Sequence, residues 1–163
     1  QRERRDRVPY TTWAKQGLLT MTPGNRIDYD FVKETIRNSV KQFDIQDIAY
    51  DPWNATQIAL QLQEEGAVMV EFGQGFRSMS EPTKELESLV LGGKIAHGGN
   101  EVLRWMASNT TLETDAAGNV KPSKKKSTER IDGMVTAVMA LGRAITTPIE
   151  APSVYESRGV DLF

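Results

Sequence analysis

Between Leu18 and Phe72 the sequence switches back and forth between two periodicities, and this constrains the fold more than anything else in the chain. "LLTMT" is a short apolar run of strand type stopped by "PGN". Val32, Ile36, Val40 and Phe43 then recur at helical spacing behind Asp28, a candidate N-cap, before "DIQDIAYD" returns to a strand-like run. A second helix is predicted from about Trp53 to Glu65, ended by Gly66, and "AVMVEF" follows as another strand. A strand–helix–strand–helix–strand order calls for an α/β sheet with parallel pairs, its faces covered by the helices. Functional groups in such sheets gather beyond the carboxyl ends of the strands.

The remaining segments extend this unit on both sides. "VPYTTWAKQG" predicts a short helix terminated by Gly17, "SEPTKELESLVLGG" a helix stopped by two glycines, and "NEVLRWMASN" a shorter helix carrying Trp105. "TTLETDAAGNVKPS" reads as a hairpin turning at "AAGN". "STERIDGMVTAVMALGRAI" reads as a long helix buried through Met134, Val135, Val138, Met139, Leu141 and Ile145. Trp13, Trp53 and Trp105 each lie in or beside a predicted helix with apolar neighbours, so core packing is expected of them rather than base stacking. The lead "QRERRDR" has no initiator methionine and no apolar residue before Val8, and reads as a linker or as the start of a piece cut from a longer protein. The expected layout is a charged lead at 1–7, one domain at 8–146 and an irregular tail at 147–163.

Composition removes several function classes. With 163 residues and 39% hydrophobic content, one domain with a single core is the expectation. Twenty basic against 22 acidic residues give a net charge of -2, so any polyanion must be met locally rather than by the field of the whole molecule. The absence of cysteine excludes disulfides, thiolate zinc sites and cysteine nucleophiles. A single histidine, His97, excludes a multi-histidine metal cage. No signal peptide and no apolar run near twenty residues is visible, which leads to the expectation of a soluble cytosolic protein that makes no use of a membrane.

Two aspartates stand where charge is unexpected. In "IAYDPWN" an apolar strand runs into Asp51 and is halted by Pro52; the carboxylate either caps the next helix or holds a metal. Asp132 adjoins Ile131 and Val135 at the edge of the apolar face of the last helix, where a charge must be paired, solvated in a cleft or bound to a cation. Its ordinary explanation is an early-helix acid favoured by the macrodipole. Glu129, three residues earlier and nearly on the same predicted helical face, is a secondary ligand candidate against a solvated first-turn glutamate. His97, in a glycine-rich turn, can polarise a phosphate or be merely structural or exposed. Arg77, in the glycine-bearing loop "GQGFRSMS", and the run "KPSKKK" with Lys121, Lys124, Lys125 and Lys126 are candidate phosphate contacts; plain surface loops are the alternative.

Three strings, "IAYDPWNATQIALQLQEEG", "VEFGQGFRSMSEPTKELESLVLGGKIAHGGNEVLRWMASN" and "KKKSTERIDGMVTAVMALGRA", together resemble the nuclease domain of the large terminase subunit of tailed double-stranded DNA phages. The resemblance runs from about Val8 to Ala144 with the motifs in consistent order. It implies an RNase H-like fold, a mixed sheet flanked by helices on both faces, in which carboxylates from strand ends and a late helix bind two divalent ions, Mg2+ or Mn2+. Asp51 and Asp132 then correspond to catalytic, metal-binding acids. The implied activity is endonucleolytic cleavage of concatemeric double-stranded DNA during packaging, in the cytoplasm of a bacterial host. The portal protein and the small terminase subunit are the implied partners, with an ATPase domain upstream. The sequence departs from the pattern in two places. The hairpin bearing the first metal-binding aspartate, which in relatives precedes the region of "QRERRDRVPY", is missing, and no G-x-x-x-x-G-K-[ST] loop occurs. The competing readings are a non-catalytic DNA-guiding or portal-docking module, and another RNase H-like nuclease such as a resolvase or transposase. The matches around "WMASN" and "STERIDG" weigh against the second.

Overall fold

The helix starts follow from local chemistry. In the computed structural model, which describes residues 2–22, 24 and 28–147, the Asp28 carboxylate accepts from the amides of Asp30 and Phe31 and opens α3 (Tyr29–Gln42). Asp51 accepts from the Trp53 amide at 3.1 Å and opens α4 (Pro52–Glu64), with Pro52 at the first helical position, where its missing N–H is no loss. Asn100 caps α6 (Glu101–Asn109) through the Leu103 amide. Gly17, at φ 74, ends the turn after α2 (Tyr10–Lys15), as the sequence predicts. Arg2–Asp6 form α1, one short helix ahead of it.

The strands β1 (Ile48–Tyr50) and β2 (Met69–Glu71) pair in parallel with Tyr50 opposite Glu71, so their carboxyl ends lie side by side. β3 (Leu112–Thr114) and β4 (Val120–Pro122) make a separate antiparallel hairpin. The remaining helices are α5 (Phe76–Leu91) and α7 (Asp132–Thr146). The α/β alternation is thus present, while "LLTMT" forms no strand among the described residues. Leu18 and Leu19 instead pack on a small cluster around Val8, Trp13 and Val102, and their amides bond back to the Trp13 carbonyl. Trp13 and Trp105 pack there as predicted, their rings 5.5 Å apart. Trp53 does not: it is 88% exposed, because the second position of α4 turns its side chain away from the sheet. The stripe on α3 is also less buried than its spacing suggests, with Phe43 61% exposed.

The main core is organised by α7. Ile131, Val135, Val138 and Met139 bury against Met79 of α5, and Ala49, Phe72 and Leu86 pack around them. Gly142 lies on the same buried face; a Cβ there would stand 2.7 Å from Phe72 Cζ and 3.3 Å from Pro82 Cγ. Glycine at this position lets β2 and α5 approach the helix backbone. Gly142→Ala should therefore overpack the core and destabilise the protein by about 1–3 kcal/mol, measured by denaturant unfolding, despite the better helix propensity of alanine.

Candidate active site

Three contacts fix how β1 lies on α7. At the start of the strand, Asp47 accepts from Arg143 Nη2 at 2.8 Å and Nε at 3.1 Å, near the carboxyl end of the helix. Two residues on, Ala49 packs against the cluster formed by Ile131, Val135, Val138 and Met139. At the level where the strand ends, the Phe72 amide donates to the Tyr50 carbonyl, which keeps β2 in step. Strand and helix therefore run in opposite directions. From Asp47 to Asp51 the strand advances about 13 Å, and from Arg143 back to Asp132 the helix retreats about 16 Å. Asp51 follows the strand and Asp132 opens the helix, each some way from the Asp47–Arg143 contact.

Asp51 is half-buried and Asp132 is exposed. One Asp51 oxygen is committed to the Trp53 amide, and no hydrogen bond to the other occurs among the described residues. The Asp132 carboxylate lies 2.7 Å from Lys124 Nζ, with the side chains 57% and 55% exposed. Of the explanations open to a charge beside the α7 face, pairing and solvation are both realised here. Hard carboxylate oxygens fit a divalent cation in kind. They fall short in number, because no group of three His, Cys, Asp or Glu side chains among the described residues could hold a metal ion.

The other sequence candidates are distributed unevenly. Glu129 lies in the bend that precedes α7 and not on its first turn, since the helix begins at Asp132; the helical-face argument for Glu129 therefore fails. His97 is exposed in the linker between α5 and α6, and its side chain makes no hydrogen bond among the described residues. Arg77 lines a cleft of about 710 Å³ with Glu81, Lys84 and Ile145, so its neighbours include the end of α7 remote from Asp132. Lys121 is engaged internally: its ammonium donates to the Gln74 carbonyl at 3.2 Å and sits 5.0 Å from the Phe76 ring centroid. Lys124, Lys125 and Lys126 are exposed; Lys126 stands 3.9 Å from Glu113, and Lys125 has no ion-pair partner among the described residues. A cleft of about 1000 Å³ lies along Asp44–Ala49 and one face of α7 from Thr136 to Ala144. Exposed Trp53, next to the Asp51–Pro52 cap, is the residue that sequence reasoning misplaced; a prolyl first turn with the strand behind it was the available signal.

A family model described as "Terminase large subunit, endonuclease domain" matches residues 1–147. The chain belongs to this terminase nuclease family. It is 42% identical over 146 residues to the terminase large subunit of Enterobacteria phage HK97, covering 88% of this chain and 29% of that protein. It is 32% identical over 145 residues to protein YmfN of Escherichia coli strain K12, covering 88% of this chain and 32% of that protein. The crystal structure of the HK97 bacteriophage large terminase superposes with a TM-score of 0.80 at 43% identity, over 86% of this chain and 30% of that one. The terminase nuclease domain thus has the RNase H-like α/β fold that the resemblance implied, and it spans about a third of the length of these relatives. No helix among its described residues is long and apolar enough to cross a membrane.

The loop carrying Lys124–Lys126 depends on the hairpin before it, and the hairpin turn is closed by a carboxylate. Asp115 accepts from the amides of Ala117 at 2.9 Å and Asn119 at 2.8 Å and from the Asn119 side chain at 2.9 Å. These bonds, the Asn119 side chain foremost, hold its pKa below the ordinary 3.8. A depressed folded value means that the stabilisation is fully present above the unfolded pKa and is lost as pH falls through the folded one. Asp115 should therefore titrate below 3.8, with the Ala117 and Asn119 amide NMR shifts following it. A midpoint at or above that value would show that the carboxylate does not close the turn.

Proposed function

We propose that this domain is a metal-dependent DNA endonuclease that cuts concatemeric double-stranded DNA for phage genome packaging, with Asp51 and Asp132 as cation ligands. The observation that supports this reading is membership of the terminase endonuclease family, together with Asp132 at the start of α7 beside a loop of three exposed lysines. Mg2+ or Mn2+ bound there would polarise the scissile phosphate and lower the pKa of an attacking water. The chain's own residues do the rest. Asp51 keeps an oxygen free while the other anchors α4, and Asp132 projects into solvent from a helix start. Lys124, Lys125 and Lys126 attract the phosphate backbone without reading sequence. The portal protein, the small terminase subunit and an ATPase motor in the same polypeptide are the partners this reading brings, and the bacterial cytoplasm its place of action.

The acids require different substitutions. Asp132→Ala removes an exposed carboxylate and should change stability by less than about 0.5 kcal/mol. Asp51→Ala would also lose a helix cap worth about 1 kcal/mol, whereas Asp51→Asn keeps the cap and removes only the charge. With two acids in place, the domain alone should show little or no cleavage of plasmid DNA with Mg2+ or Mn2+. A longer protein supplying a third acid on a preceding hairpin should cut, and both Asp132→Ala and Asp51→Asn should abolish its cutting while leaving its melting curve nearly unchanged. Full activity of the Asp132→Ala protein would remove that residue from the site.

A second reading, a DNA-guiding or portal-docking module without catalysis of its own, is favoured by the lack of a third ligand among the described residues. Both readings predict that neutralising Lys124, Lys125 and Lys126 together weakens duplex binding whatever the sequence. The slope of log affinity against log salt should fall by roughly 1 to 3, since each phosphate contact contributes about 0.9. An unchanged slope would take the lysine loop out of the DNA interface.

A further inference from the structure

We propose that Trp53 is a positioning residue for the duplex, an apolar contact that seats DNA beside the carboxyl end of β1; this rests on the reading of the domain as a DNA endonuclease. The indole is 88% exposed, against 5% for Trp13, which packs on Trp105. Tryptophan is on average a well-buried side chain, yet this one belongs to neither core cluster. Its position is set by the cap of α4. The Trp53 amide donates to Asp51 at 3.1 Å, so the indole leaves the chain in the same turn that holds the candidate acid. Ligands of α/β sheets approach this end of the strands.

The surroundings of Trp53 suit DNA better than a protein partner. One turn further along α4, Thr56 and Gln57 are exposed, and an amide side chain such as Gln57 can donate to a phosphate without reading sequence. No charged side chain occurs between Asp51 and Glu64, although 26% of the chain is charged. Past Asp51, α4 therefore presents no acid to a phosphate backbone until about 16 Å beyond Trp53. A stable protein interface needs about 800 Å² from each partner. The large apolar side chains exposed on α4 are only Trp53 and Leu60, which stand about 10 Å apart along the helix. An indole ringed by neutral polar groups instead matches a nucleic-acid contact, in which an aromatic ring meets bases whatever their sequence.

The test measures binding of a short duplex of arbitrary sequence to the intact 163-residue chain in EDTA, where nothing is cut. Trp53→Ala should weaken binding by about five- to tenfold, the lower part of the range for one aromatic contact. The slope of log affinity against log salt should stay unchanged, because an indole releases no counter-ions. Trp53→Phe should keep most of the affinity, and both variants should melt like the unaltered protein, since the side chain is exposed. Trp53 should also carry most of the acrylamide quenching of tryptophan fluorescence, and saturating duplex should shield it. Unchanged affinity of Trp53→Ala, or quenching that duplex leaves unaltered, overturns the contact while the endonuclease reading stands. Shielding that grows with protein concentration in the absence of DNA overturns it in favour of a second copy on this face. An unaltered chain that binds no duplex at low salt removes the endonuclease reading and the contact with it.

Discussion

The seating of α7 on β1 and α5 is the constraint on which the rest of the molecule depends. Its inward face alternates medium-sized apolar side chains with one glycine, Gly142, where the Phe72 ring and Pro82 come close to the helix backbone. Hydrophobic burial alone tolerates sliding, because neighbouring turns of such a helix offer similar surfaces. The Arg143–Asp47 pair does not tolerate it: the two bonds from one guanidinium to the carboxylate at the start of β1 fix a single register. A slip of one helical turn, about 5.4 Å, would break both bonds.

Asp51 commits only one of its carboxylate oxygens to the start of α4. A strand that must stop, a proline that can begin a helix and an amide that needs an acceptor are together satisfied by one oxygen of an aspartate at this position. The second oxygen is left over. Capping thus engages one oxygen and holds the side chain against the first turn of α4. Asp132 is held differently, by the start of α7 and by an ammonium from a neighbouring loop. Its position is a product of packing, and its immediate partner is a cation belonging to the protein itself.

The basic run illustrates how tertiary context sorts residues of one type. Four lysines within six positions appear equivalent as a charge cluster. Lys121 lies in β4, where the strand directs it toward the Gln74 carbonyl and the Phe76 ring, and it stabilises the junction between hairpin and α5. The other three stand on the turn beyond it. In a domain with a net charge of -2, this sorting concentrates the exposed positive charge beside Asp132 and not along the whole run.

The sequence by itself determined the parts governed by neighbours along the chain. The caps at Asp28 and Asp51, the glycine stop at Gly17 and the turn at Asp115–Asn119 are local hydrogen-bonding and dihedral effects, readable within a few residues. The strand–helix alternation from Ile48 to Glu71 and the family were likewise legible, because periodicity and long motifs survive without coordinates. Tertiary structure decided what depends on partners far away in sequence. "LLTMT" had strand composition but found no strand to pair with; Phe43 and Trp53 had apolar side chains but no surface to cover them; and Glu129 fell outside a helix whose start is set by where Ile131 enters the core. The register of α7 on β1 rests on a hydrogen bond spanning 96 positions, between Arg143 and Asp47. Local propensity cannot encode such a contact, because its energy exists only once the intervening chain has folded.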